Sequence, residues 1–272
     1  MKKIAVLGPA NTFSDYAATK YNVNHNFEKS FYPSIDEAVY SLEEINDIAV
    51  VPVENTLDGY VQRTLDLLLE MNLKILEEVY VPVQFSLVAN TEKLEDIDTI
   101  YVQFKSKGQC TNLFKKMSGV KVIITESNME SYNLVKKKGK GAGAIIPQHV
   151  YNPEEFQFGI KNVTDSFNNY TRFLVVEKRS QNTKIFYKDM IKVSLYIVGA
   201  NDEPGVLNSI LQRFYEKKIN LVSIMSRPTK KKIGKYNFFI ELQGNFENKR
   251  KIEETIQEIS KKYNVKVLGL YS

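Results

Sequence analysis

Residues 47–72 read DIAVVPVENTLDGYVQRTLDLLLEMN. A β-branched run from Ile48 to Val53 breaks at the polar knot Glu54-Asn55-Thr56 and gives way to Leu57, Val61, Leu65, Leu68 and Leu69. Spacings of four, four, three and one place those five side chains on one helical face. Thr56 is the expected cap of that helix. Strand, polar turn and helix make half of a βαβ unit, and the flanking sequence repeats it. KKIAVLG runs into PANTFSDYAATKY, TIYVQ into FKSKGQCTNLFKKM, and VKVIIT into ESNMESYNLVKKK. Such alternation predicts an α/β protein with a mainly parallel sheet. The long extended segment near 79–89, in EVYVPVQFSLVAN, and the later strands GAGAIIP and TRFLVVEK predict two α/β lobes crossed twice by the chain, with a cleft between them.

After Glu177 the character changes. KRSQNTKIFYKD is polar and without period, as a linker is. Beyond it KVSLYIVGA, NDEPGVLNSILQRFYEKKI, NLVSIMSRP, KYNFFIELQG, NKRKIEETIQEISKKY and NVKVLGLYS spell βαββαβ, the ferredoxin-like unit.

Composition narrows the function classes. The 272 residues are 43% hydrophobic and 25% charged, enough apolar material for two cores. A single cysteine excludes an internal disulfide, and with only two histidines the chain has few soft ligands for zinc. Net charge is +5, but Lys136–Lys138 and Lys230–Lys232 lie far apart and carry no interleaved aromatics, so no nucleic acid partner is expected. The apolar start is broken at Gly8 and Pro9, and no run approaches the roughly 18 residues of a membrane span. The expectation is a cytoplasmic protein that binds no membrane.

Polar residues gather where strands give way to helices: Thr12 and Ser14, Glu54 to Thr56, Ser106 to Gln109, Glu126 and Ser127. In parallel α/β sheets these points lie at the carboxyl ends of strands, and helix N-termini there favour an anion. Glu54 ends an apolar strand and is expected to meet a cation, Arg63 or Arg172. GKGAG at 139–143 precedes a strand, so no phosphate loop is present. His25 and His149 read as surface or structural histidines, which leaves a carboxyl or hydroxyl as general acid. NNYTRFLVV at 168–176 sets Thr171 and Arg172 at the entrance of a buried strand, where positioning is finer than in a loop.

Several motifs, in order, carry a resemblance: GPANTFSDYAA at 8–18, PVENTLDGYVQRTLDLL at 52–68, TES at 125–127, SFNNYTRF at 166–173, PGVLNSIL at 204–211 and MSRP at 225–228. Over essentially its whole length the chain resembles the bacterial prephenate dehydratases with a C-terminal ACT domain. The resemblance implies a two-lobed, type II periplasmic-binding-protein-like catalytic domain at 1–180 and an ACT regulatory domain at 190–272. It implies conversion of prephenate to phenylpyruvate with loss of water and CO2, with no cofactor and no metal. Thr171 would bond the departing hydroxyl, Arg172 would organise carboxylates, and Glu126, if buried, would supply the proton. Asn55 and Gln109 would hold substrate and Glu54 would orient them, with Thr12, Ser14, Thr56, Ser127 and Phe173 completing the site. Phenylalanine would regulate by binding near Asn201, Pro204, Gly205, Val206, Leu207, Asn208, Ser226, Arg227 and Pro228, between ACT domains paired in a homodimer or homotetramer.

Some positions depart from the family pattern. Asn11 replaces glycine, Val102-Gln103-Phe104 a Ser-His-Pro, Gln84-Phe85 a histidine pair and Met225 a glutamate. Arogenate is therefore an alternative substrate, and a non-catalytic carboxylate sensor with an ACT module is the competing class.

Overall fold

Ile4, Ala5 and Val6 are all fully buried, so the strand that contains them is covered on both faces and can be apolar throughout. That strand is β1 (Lys3–Leu7), followed by α1 (Phe13–Asn22), β2 (Glu28–Tyr32), α2 (Ile35–Tyr40), β3 (Ile48–Asn55), β4 (Gly59–Tyr60), α3 (Gln62–Glu70) and β5 (Leu73–Pro82). The chain then enters a second lobe through β6 (Phe85–Ala89), β7 (Thr99–Gln103), α4 (Phe104–Gly108), α5 (Thr111–Lys116), β8 (Lys121–Thr125), α6 (Asn128–Lys137), β9 (Ala142–Pro147) and β10 (Phe158–Ile160). It returns to the first lobe on β11 (Tyr170–Lys178). This computed structural model describes residues 2–272 except 118, 182, 184, 186, 202 and 230–234. The Lys230–Lys232 run and three positions of the expected linker thus lie outside the described residues.

The first sheet has the order β2-β1-β3-β11-β5, with β4 against β3, and the second β10-β6-β9-β7-β8. Each is half of what the sequence predicts. β1 runs parallel to β2 and β3, and β7 to β8 and β9, but β11 is antiparallel to both β3 and β5, and β6 to β9 and β10. The reason is the double crossing, because a chain that leaves one sheet and comes back re-enters it in the opposite sense.

The helix expected from Leu57 also starts later. Asn55 Oδ1 accepts hydrogen bonds from the backbone N–H groups of Leu57 and Asp58 at 3.0 and 3.1 Å, and the chain reverses into the β3–β4 hairpin with Gly59 at φ +77°. Leu57 is left 53% exposed, and helical residues begin at Gln62. Thr56 caps nothing; its hydroxyl donates to the Tyr170 carbonyl and accepts from the Tyr170 N–H.

The last unit comprises β12 (Met190–Asn201), α7 (Val206–Glu216), β13 (Asn220–Pro228), β14 (Lys235–Asn245), α8 (Lys249–Ser260) and β15 (Asn264–Tyr271), with sheet order β13-β14-β12-β15. This is the ferredoxin-like arrangement. Strand alternation divides its faces. Ile191, Val193, Leu195 and Ile197 pack with residues of α7 and α8, while Tyr196, Phe239, Leu268 and Tyr271 join Leu65, Leu68, Leu73 and Leu174 in one core with the first lobe. The second face of this sheet is therefore built against the first lobe.

Gly269 lies against Ile75 in that contact. A Cβ there would lie 2.6 Å from the Ile75 carbonyl oxygen, a backbone atom that cannot swing aside. Gly269→Ala is expected to cost about 1–3 kcal/mol, as overpacking does, read as a lower denaturation midpoint. Among the described residues no helix is long and apolar enough to cross a membrane.

Candidate active site

A cleft of ≈ 380 Å³ opens between the two lobes, and Thr171 stands on its wall at the entrance of β11, opposite Asn55 at the end of β3. The Asn55 amide is fixed at its oxygen by the two turn N–H groups, which aims its nitrogen the other way. That nitrogen donates to Thr171 Oγ1 and to Asn169 Oδ1, both at 2.9 Å. Buried Asn169 in turn donates to Gln109 Oε1 at 3.1 Å. Two consequences follow from donor and acceptor counts. Thr171 already accepts a hydrogen bond, so its own proton is free to point into the cleft, and Gln109, with its oxygen occupied, presents its amide N–H groups.

The facing wall is built from helix starts. Gln103 Oε1 accepts from the N–H groups of Lys105 and Ser106 at 2.8 and 3.2 Å and caps α4. Ser106 Oγ donates to Asn128 Oδ1 at 2.6 Å, tying α4 to α6, and Ser127 Oγ caps α6. Thr12 caps α1 on the near side. Phe13 and Phe85 meet edge-on at 5.6 Å across the two lobes, and with Val83, Met129 and Pro147 they give the cleft an apolar surface suited to a carbon ring.

Of the residues singled out in the sequence, Thr12, Asn55, Gln109, Glu126, Ser127 and Thr171 line this cleft. Ser14, Glu54, Thr56, Arg172 and Phe173 do not. Neighbours on a strand point to opposite faces, so Arg172 turns away from the side that presents Thr171. Its guanidinium is buried against Glu241 of β14 at 2.6 and 3.0 Å, with Glu78 at 3.2 Å and Glu54 at 3.1 Å. The carboxylates it organises are the protein's own. Glu54 has found one of its two expected cations. Phe173 is buried in the first lobe's core with Ile4, Val6 and Val175, and Ser14 is buried in the first turn of α1. The proton-source reading needs a buried carboxyl, and Glu126 is exposed. Cys110, next to Gln109, is fully buried, and burial pushes its thiol up to about 12, so it is no nucleophile.

Several cleft contributors escaped the sequence reading, among them Phe13, Met129, Asn169 and Lys105. Asn169 was visible in the NNYTRF motif but carried no separate signal. Lys105 looks like any surface lysine until Asp58, in the β3–β4 hairpin, is seen across the cleft at 3.0 Å.

His149 follows β9 in the second lobe yet bonds the Asn11 carbonyl of the first at 3.1 Å and stacks on Tyr16 at 4.6 Å. Asn11 itself adopts φ +66°, a left-handed conformation that asparagine tolerates better than most residues. Burial holds the His149 pKa below its ordinary value. With the folded value depressed, the unfolded chain binds more protons just below the ordinary value near 6.5, so stability is lost as pH falls through that point. A thermal midpoint that declines from pH 7 to 5, and declines less in His149→Asn, is the expected result.

In the ferredoxin-like unit Asn201, Pro204, Gly205 and Asn208 are exposed around the start of α7, where Gly205 takes φ +85°, while Val206 and Leu207 pack on the unit's core. Ser226 and Pro228 lie at the same end of the sheet, exposed on β13. Arg227 points the other way and pairs with Asp66 of α3 at 2.5 Å.

The profile of the prephenate dehydratase family matches residues 4–181. The chain belongs to the prephenate dehydratase family. The ACT domain profile matches residues 193–259. The prephenate dehydratase of Methanocaldococcus jannaschii is 31% identical over 97% of this chain and 95% of its own length. The bifunctional chorismate mutase/prephenate dehydratase of Aquifex aeolicus is 34% identical over 99% of this chain and 73% of its own. A prephenate dehydratase from Arthrobacter aurescens, solved in complex with L-Phe, superimposes with a TM-score of 0.83 at 23% identity, covering 99% of this chain and 90% of that one. The cleft just described is thus the cleft of a prephenate dehydratase fold, two type II periplasmic-binding-protein-like lobes followed by an ACT unit.

Proposed function

We propose that the chain is a cytoplasmic prephenate dehydratase in which Thr171 is the group that assists departure of the ring hydroxyl. The observation that carries this reading is the Asn55–Thr171 hydrogen bond, in which Thr171 accepts and so keeps its own proton free to point into the cleft. In the reaction the bond between ring carbon and hydroxyl breaks as the ring loses its carboxylate as CO2, and the electrons of that carbon–carbon bond enter the ring. Prephenate dianion and one proton give phenylpyruvate anion, CO2 and water. Aromatisation supplies the drive, so the protein has to hold the ring and stabilise charge on the departing oxygen. Thr171 does the second as a fixed donor. Phe13 and Phe85 hold the ring, and Gln109 and Ser127 supply donors around it. The proton is drawn from solvent at the cleft mouth, with exposed Glu126 beside it.

The test is direct. Purified protein is mixed with prephenate at neutral pH, and phenylpyruvate is followed by its absorbance in alkali against a control without protein. Product above the control is expected. Binding with prephenate recovered unchanged would establish the sensor instead, and turnover of arogenate alone would reassign the substrate.

The ACT unit is read as a feedback module for L-phenylalanine, held around Pro204 to Asn208 with Ser226 and Pro228. Supporting this, these segments converge at one end of the sheet and a protein of the same fold holds L-Phe. The edge strand β13, with Val222 and Ile224 exposed, is the surface through which two copies pair as a homodimer or homotetramer. Suppression of turnover by added L-phenylalanine is the expected outcome.

A further inference from the structure

A cleft that takes a substrate with two carboxylates needs positive charge, and its described lining supplies very little. Asp58 and Glu126 are acidic, Lys105 is the one cationic side chain among the lining residues, and the remainder are neutral. Arg172, next in sequence to Thr171, cannot contribute. Its guanidinium lies on the opposite face of the sheet, 4% exposed and engaged with three carboxylates.

Lys105 is built to turn. Its backbone N–H is held by Gln103 Oε1 at the start of α4, whereas its side chain is 69% exposed and, among the described residues, pairs with the Asp58 carboxylate, itself 52% exposed, at 3.0 Å. The two belong to different lobes, so the pair spans the cleft. An exposed ion pair of this kind is weak, and its exchange for another carboxylate costs little.

We propose that Lys105 is the counter-charge for a carboxylate of the substrate, and that Asp58 occupies the position this carboxylate takes when substrate is bound. The inference rests on the reading that the chain turns over prephenate. Substrate enters, displaces Asp58 from the ammonium, and is held at the cleft mouth with its ring against Phe13 and Phe85. Asp58 then acts as a competitor for Lys105. It lowers affinity in the free enzyme and takes the ammonium back when product leaves.

The pair gives effects of opposite sign, which loss of folding cannot imitate. Initial rates are measured against prephenate concentration for the full chain and for Lys105→Met, Lys105→Arg and Asp58→Asn, with circular dichroism to confirm folding. Lys105→Met is expected to raise KM about tenfold or more, as loss of one charge-assisted bond does, with kcat within about threefold. Lys105→Arg recovers most of the loss, and Asp58→Asn lowers KM about two- to threefold because the competing carboxylate is gone. Both shifts shrink as ionic strength rises. An unchanged KM in Lys105→Met, or a fall in kcat in its place, overturns the assignment. Asp58→Asn raising KM in parallel with Lys105→Met would make the pair a lobe-closing bridge and overturn it equally. If wild-type protein leaves prephenate intact, the functional reading fails first and the inference falls with it.

Discussion

Thr171→Val is expected to lower the turnover of prephenate about 10²–10³-fold, the usual consequence of removing a fixed donor at the point where charge develops. Valine keeps the shape and the β-branch that the strand favours, and Asn55 retains Asn169 Oδ1 and the Tyr170 carbonyl as acceptors. The stability cost should therefore stay near that of one lost hydrogen bond, about 0.5–1.5 kcal/mol. Thr171→Ser, which keeps the hydroxyl, should hold turnover within about tenfold of wild type on the same reasoning about a retained donor.

The sharper variant is Asn55→Asp. A carboxylate has no N–H to give, so it would accept the Thr171 proton and pull it away from the cleft, and it would also set an oxygen against Asn169 Oδ1 and the Tyr170 carbonyl, which accept from the Asn55 amide. Turnover should then fall nearly as far as in Thr171→Val, although Thr171 is still present. Kinetics on the two variants at matched folding check this. Near-normal rates for either would remove Thr171 from the chemistry.

Glu241→Ala is the second large effect, this time on stability. Glu241 is buried in the ACT sheet and accepts from Arg172, Ser194, Tyr60 and Tyr271. Burial opposes its ionisation, and the Arg172 guanidinium overrides that opposition and holds the carboxyl below its usual range. Removing it strands a buried guanidinium between Glu54 and Glu78 and is expected to cost about 3–5 kcal/mol. Arg172→Met should cost as much by leaving Glu241 unpaired, whereas the double variant Arg172→Met with Glu241→Leu should recover to within about 1–2 kcal/mol, since an apolar pair of similar volume needs no desolvation. Urea unfolding of the three proteins measures the difference. Simple additivity of the two losses would show that the ion pair carries no coupling.

The same pair sets an acid limit. Because the folded carboxyl of Glu241 lies below its unfolded value, its contribution is complete above about 4.3 and is lost as pH falls through the folded value. The double variant should lack this component of acid unfolding. Glu241 also reaches β11 one residue from Thr171, beside the irregularity in strand pairing between Arg172 and Phe173. Bulges near active sites aim side chains, and here the ACT sheet holds the residue at which that bend begins.

Much of this was written locally. Strand runs such as Ile48 to Val53, the helix caps at Thr12 and Ser127, and the switch from period two to period 3.6 are properties of a few adjacent residues, so the βα alternation and the βαββαβ unit could be read before any coordinate. The places of Thr171 and Asn55 at strand ends were legible for the same reason. Even the departure of Arg172 from the cleft was encoded, because neighbours on a strand face opposite ways, although the sequence reading did not use it. The Asx turn at Asn55 was a local signal too, but the leucine periodicity on either side of it masked the hairpin.

What the sequence could not supply is the identity of each charge's partner. Arg172 meets Glu241, 69 residues further on, and Lys105 meets Asp58, 47 residues back, only because separate segments were packed face to face. Backbone periodicity is a short-range geometric property and shows which way a side chain points. The field it meets there is the sum over everything folded against that face, and only the tertiary structure determines it.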